Sequence, residues 1–235
     1  MNNLENNLSN DLVNSLLHTE GEERAKEVAS LVNWFVFSDT IIVYSHFEDG
    51  EQWQDRSNRW TMMNYVCMLL WRRIFSYGLP IRGLIHCGEF AVDQRSFVGQ
   101  AIVEAYDLSN KMNLSVTAYT SQAQKQLHED KKSEEVNNKE RLLLPSWMPA
   151  QLFEYSVPMK NLSASRMLVQ NPLAMTLEDQ AEFLGFDLRD YVHSMMSLHN
   201  KDITEPVYPK FSNTELYLRT CKSRIKAMFD RDKSR

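Results

Sequence analysis

Cysteine is scarce in this chain: three in 235 residues, at Cys67, Cys87 and Cys221. No two of them stand at CxxC or zinc-ligand spacing, so the thiols read as reduced and the compartment as cytoplasmic. Basic excess is absent too. Lys plus Arg number 26 against 31 Asp plus Glu, a net charge of −5. That excludes a broad nucleic-acid surface and leaves only a local basic patch open, so no nucleic-acid partner is expected. The most apolar run, Tyr65 to Trp71, is far short of the roughly 20 residues that cross a bilayer, so no membrane partner is expected. The opening MNNLENNLSND is polar and acidic, unlike a signal peptide. There is no GxxxxGK[ST], GxGxxG, HExxH or GxSxG, which removes the usual readings as P-loop NTPase, dehydrogenase, zinc protease or serine hydrolase and leaves other enzyme chemistry open. No internal repeat is visible.

What is present is enough apolar residue, 43%, for a sizeable core. The length allows one domain with an elaboration, or two small ones. Leu4, Leu8, Leu12, Val13, Leu16 and Leu17 recur at helical spacing and predict an amphipathic helix over about 3–18, with a second short helix over 22–29. From Leu31 the period changes. LVNWFVF and TIIVYS are rich in β-branched and aromatic residues and predict a hairpin with Ser38-Asp39 near its tip. After a charged loop, 58–77 predicts a long helix ended by Gly78 and Pro80. Met62, Met63, Met68 and Trp71 form its core stripe, and Arg72 and Arg73 suit its C-terminal dipole. A strand over 80–92, a turn at 93–95, a helix over 100–112 and a strand over 114–119 follow. Thr120 or Ser121 caps a helix to about 129. Then come a charged linker over 131–141, a hairpin over 152–170 and helices over 176–199 and 212–230.

Two stretches carry a resemblance: FVFSDTIIVYS (35–45), and LPIRGLIHCGEF (79–90) followed by GQAIVEAYDLSNKM (99–112) and SVTAYTSQA (115–123). Their types and order resemble the class III adenylate/guanylate cyclase domain. Within that family they are most similar to the bacterial pyrimidine cyclases of antiphage signalling (Pycsar-type), which carry FSD, RG…GE and G-x-A…A-Y-x-L in this order. YSVPMK resembles the family's late hairpin, with Lys160 where a lysine is common. The match covers 31–170. It implies an α+β, ferredoxin-like βαββαβ core within 1–172 and a C-terminal helical extension over 173–235.

The resemblance also implies a chemistry. Such a cyclase joins the ribose 3′-oxygen to the α-phosphate of a nucleoside triphosphate and expels pyrophosphate, with two divalent ions, Mg²⁺ or Mn²⁺, clamped by carboxylates. Asp39 matches the metal-binding Asp at the hairpin tip, though Asp is also an ordinary turn residue. The other metal Asp belongs to a first strand that has no match, and the chain is expected to begin after it. A missing upstream segment is the expected reason; a decayed gene, direct pairing of the two neighbouring strands, or a second chain filling the gap would also account for that. Val103 and Asp107 stand where purine cyclases have their transition-state Asn and Arg, which favours the pyrimidine branch. Asn33 and Ser96 occupy the two base-selecting positions and match neither the adenine nor the guanine pair.

Other residues keep two readings. Arg82 alternates with Ile81 and Gly83 and is placed with the nucleotide, to meet phosphate, or in a salt bridge on the sheet. His86 matches the family's strand histidine or is a satisfied core residue. Glu89 caps or orients a neighbour. Tyr106 packs, and Gly88 and Gly99 allow close backbone approach. The expectation is therefore a nucleotide cyclase acting on UTP or CTP as a head-to-tail homodimer in phage defence. The alternatives are a catalytically inactive cyclase-like module that binds a nucleotide or a protein, or a fragment of a cyclase.

Overall fold

The structure is a computed structural model that describes residues 30–37, 39–47, 50, 51, 53–93, 96–137, 151–174, 184, 185, 187–198 and 207–232. The helices expected over 3–18 and 22–29 lie outside these, as do residues 138–141 of the expected charged linker and the flanks of the helix expected over 176–199. The chain is mixed α and β. It divides into two units, one drawn from Met1–Leu70 and Gln126–Arg141, the other from Trp71–Lys125 and Leu142–Arg235.

In the first unit, β1 (Asn33–Phe37) and β2 (Thr40–Tyr44) pair antiparallel from Asn33↔Tyr44 to Phe37↔Thr40. That register leaves Ser38-Asp39 as a two-residue connection, as the sequence predicts, with Asp39 exposed. Helix α1 (Trp53–Ser76) starts earlier than the expected residue 58. Within this unit it buries Trp60, Met62, Val66, Met68 and Leu70. Polar residues fasten its first turns. Arg59 pairs with Glu51 at 2.6 Å, and Arg56 pairs with Asp130 at 2.9 Å. The indole Nε1 of Trp60 donates to the same Asp130 carboxylate at 2.8 Å. Asp130 lies on α3 (Ser121–Asn137), which runs through the first part of the expected charged linker. Its mixed-sign residues are good helix formers, and no Gly or Pro interrupts them.

The end of α1 belongs to the second unit and is closed by the glycine the sequence points to. Gly78 has φ +74. Its N–H donates to Phe75 O at 2.9 Å and that of Leu79 to Ile74 O at 3.3 Å, the paired bonds of a Schellman motif. β3 (Gly83–Ile85) pairs in parallel with β6 (Thr117–Tyr119). β6 pairs antiparallel with β8 (Ala164–Gln170), and β8 with β7 (Leu152–Pro158). The strand order is therefore β3-β6-β8-β7. Between β3 and β6 lie a short hairpin, β4 (Ala91–Asp93) with β5 (Ser96–Val98), and helix α2 (Gln100–Lys111). The single strand expected over 80–92 is thus two: β3 ends at Ile85, and β4, from Ala91, pairs with β5 in a separate two-stranded sheet.

Helices α4 (Leu188–Met196) and α5 (Tyr208–Asp232) supply the helical C-terminal part. Val192, Met196, Phe211, Tyr217, Leu218, Cys221 and Ile225 share one buried cluster with Phe75, Leu114, Val116, Ala118, Phe153, Val157 and Val169. Trp71 stacks on Phe75 with ring centroids 4.5 Å apart, and the Tyr217 hydroxyl donates to Gln170 O. Burying Tyr217 and Cys221 in this cluster pushes both their pKa values up and keeps them neutral. All three cysteines are free thiols. No helix among the described residues is long and apolar enough to cross a membrane.

Candidate functional site

The four sequence-predicted site residues fall two in each unit. Asn33 and Asp39 lie on the hairpin of the first unit. Asn33 opens β1, is exposed and pairs with Tyr44. Asp39 stands at the tip, where Thr40 Oγ1 donates to its Oδ1 at 3.4 Å. Roughly 13 Å of strand separates Asn33 from Phe37, at 3.3 Å per residue. The tip is also apolar: Phe37, next to the turn, is 68% exposed. Among the described residues no three His, Cys, Asp or Glu side chains gather to hold a metal ion. At this tip the described donor set is one carboxylate, which does not by itself make a two-ion clamp.

Arg82 and Ser96 belong to the second unit. Ser96 begins β5, in register with Asp93. Among the described residues Arg82 makes no salt bridge. Its guanidinium instead reaches the C-terminal end of α2, donating from Nη1 to Asn110 O at 3.1 Å and Met112 O at 3.2 Å, and from Nη2 to Asn110 Oδ1 at 3.4 Å. These carbonyls have no partner within the helix, and a cation suits the negative end of its dipole. The arginine still has donors to spare, since a guanidinium carries five.

His86, just past β3, is a satisfied side chain. Its Nδ1 lies 3.0 Å from Thr120 Oγ1, and its Nε2 lies 3.4 Å from a carboxylate oxygen of Glu104. Thr120 Oγ1 accepts the N–H of Ala123 at 3.2 Å, which makes Thr120 the cap of α3. Its hydroxyl proton is then free to face Nδ1, leaving the ring proton on Nε2 toward Glu104. Burial lowers the histidine's pKa, with Glu104 opposing it. Gly88 and Gly99 do permit close approach. A Cβ at Gly88 would meet Ala101 Cβ at 2.9 Å and His86 Nε2 at 3.3 Å, and one at Gly99 would meet Glu89 O at 2.7 Å. Glu89 itself is exposed. Tyr106 departs from expectation. It is 55% exposed, as Val103 is at 59%, because both lie on the face of α2 turned from the sheet.

Lys210 and Glu104 are polar residues whose role the sequence hid. Glu104 and His86 are far apart in the chain and meet only because α2 returns over β3. Lys210, at the start of α5, donates from Nζ to Pro80 O at 2.8 Å; no motif marks it. No protein-family model, no curated protein and no solved structure matches the chain. The cyclase resemblance rests on the motifs alone.

Proposed function

We propose that the chain is a nucleotide cyclase of class III type that converts UTP or CTP to the 3′,5′-cyclic monophosphate with release of pyrophosphate. The observation that carries this reading is the two-residue hairpin turn that presents an exposed Asp39 within FVFSDTIIVYS. Support also comes from R-G-L-I-H leading through the Gly99-led helix to TAY, and from the late antiparallel hairpin whose turn holds Lys160. In this reading the core is ferredoxin-like and Asp39 would hold a Mg²⁺ or Mn²⁺ ion, whose chemistry would be to neutralise charge on the triphosphate. Asn33 and Ser96 line the base pocket, Arg82 faces phosphate, and two copies assemble head to tail. The role in phage defence follows from the same resemblance.

The parallel pair β3–β6 bears on the core. In a split βαβ unit of the ferredoxin-like type another strand separates these two; among the described residues none does. A second reading, a catalytically inactive cyclase-like module that binds nucleotide or a partner, is favoured by the single carboxylate at the hairpin tip.

The test is an assay of all four nucleoside triphosphates with Mn²⁺ and with Mg²⁺. The cyclase reading expects a cyclic pyrimidine nucleotide and pyrophosphate. It also expects the Asp39→Ala protein to lose about 100-fold or more in rate, the scale for removing a group that stabilises transition-state charge. Metal-dependent nucleotide binding with no product selects the second reading. Turnover at the parental rate in Asp39→Ala removes Asp39 from the chemistry.

A further inference from the structure

Lys210 is a half-buried amine in surroundings that disfavour its charge. It is the third residue of α5, and its Nζ donates to Pro80 O at 2.8 Å. Both ends of that bond are held in place. One turn along α5, Thr214 Oγ1 donates to Lys210 O at 2.7 Å and accepts the N–H of Ser115 at 2.9 Å. Asn213 donates from Nδ2 to Asn113 O at 2.8 Å. On the other side, the Ser115 hydroxyl donates to Ile81 O at 2.7 Å, next to Pro80. An ammonium carries three N–H donors, and Pro80 O is the acceptor that the described residues give this one. No carboxylate among them pairs with it. The charged groups acting on it are cations: Arg82, two residues beyond Pro80, and Lys160 in the β7–β8 turn.

Each of these features favours the free amine over the ammonium. Burial first, then repulsion from Arg82 and Lys160, bring the pKa of Lys210 down to about 8. A lysine desolvated beside another cation is an amine activated as a nucleophile. Near neutral pH roughly a tenth of such a side chain is uncharged, against well under a thousandth of an ordinary lysine. The surroundings also select a product. An amide formed at Nζ keeps one N–H for Pro80 O and carries no charge for Arg82 and Lys160 to repel. An imine nitrogen has no N–H until it is protonated, and protonation restores the charge.

We propose that Lys210 is an acylation site, an activated amine that takes an acyl group from an acyl thioester. The neutral amine attacks the thioester carbonyl; the C–N bond forms, the C–S bond breaks, and the amine's proton leaves with the thiol. The modification changes the charge beside Arg82 by one unit. Lys210 lies outside residues 31–170, and acylation needs neither nucleotide nor metal, so the site stands apart from the cyclase reading. The test incubates the full chain with a small acyl thioester, S-acetyl-N-acetylcysteamine, over a range of pH and follows each lysine by peptide mass spectrometry. Near neutral pH, Lys210 should be acetylated about tenfold or more faster than Lys226, an exposed lysine on the same helix. Its rate should level off above about pH 8, where the rate at Lys226 still climbs. Arg82→Gln, which keeps donors for the carbonyls at the end of α2, should slow Lys210 about threefold or more and leave Lys226 unchanged. Lys160→Ala, a change at an exposed residue, should slow it as well and serves where circular dichroism shows the Arg82→Gln protein unfolded. Acetylation of Lys210 no faster than that of Lys226, or at a rate that neither substitution changes, overturns the site. No nucleotide is present in this assay, so its failure is distinguishable from failure of the cyclase reading.

Discussion

His86 holds its ring between a threonine hydroxyl and a glutamate, with little room to take up a second proton. Its folded pKa lies below the ordinary 6.5. The unfolded chain therefore binds the proton first as pH falls. The stability this histidine contributes is complete above 6.5 and is lost progressively as pH drops below it toward the folded value. Urea denaturation at one pH above 6.5 and one below it should show the parent losing more than a His86→Gln protein. Equal losses in the two proteins would mean that Glu104 fully offsets the burial. At this scale the sequence was partly legible. The motif R-G-L-I-H marks His86 and Arg82 as residues to watch, but not their partners. Arg82, expected at a phosphate or in a salt bridge, also donates to carbonyls at the end of α2, a contact that no spacing along the chain announces.

Among the elements, those with local signals came out closest to expectation. The hairpin over 33–44 is specified by alternating bulky residues with a turn pair between them, and the close of α1 by a glycine that must adopt φ +74. An added Cβ at Gly78 would lie 2.6 Å from both Leu198 Cβ and Met195 O. Gly78→Ala should therefore destabilise the second unit by about 1–3 kcal/mol through backbone strain and crowding. A lowered urea midpoint with unchanged slope is the expected result; an unchanged midpoint would mean the loop yields without cost. The elements that diverged lacked such signals. The stretch 80–92 reads as one strand by its apolar residues, yet only Gly83–Ile85 and Ala91–Asp93 are strands. The charged run after Lys131 reads as linker by composition, yet it stays helical to Asn137.

For the whole molecule, the two units differ in how their strands are protected. No residue of β1 or β2 is buried, whereas every residue of β6 is, and β6 lies between two partner strands. Local opening of a poorly buried hairpin is easier than opening of a central strand. Native-state hydrogen exchange should therefore show the amides of Phe35 and Ile42 exchanging much faster than those of Ala118 and Val169. Equal protection in both sets would show that the hairpin opens only with the sheet. The hairpin carries Asp39, so its mobility bears directly on whether a metal ion can be held there.

The sequence by itself determined what is local: the hairpin and its turn, the glycine close of α1, the threonine cap of α3 and the late hairpin. Each of these is written in residues a few positions apart, where backbone sterics and side-chain capping act. Tertiary structure decided what depends on residues distant in the chain. It paired β3 with β6 in parallel, drew the C-terminal helices into the sheet's own core, set Glu104 against His86, and brought Lys210 to Pro80 O. Those meetings follow from which apolar faces bury one another, and side-chain burial couples positions that no spacing along the chain records.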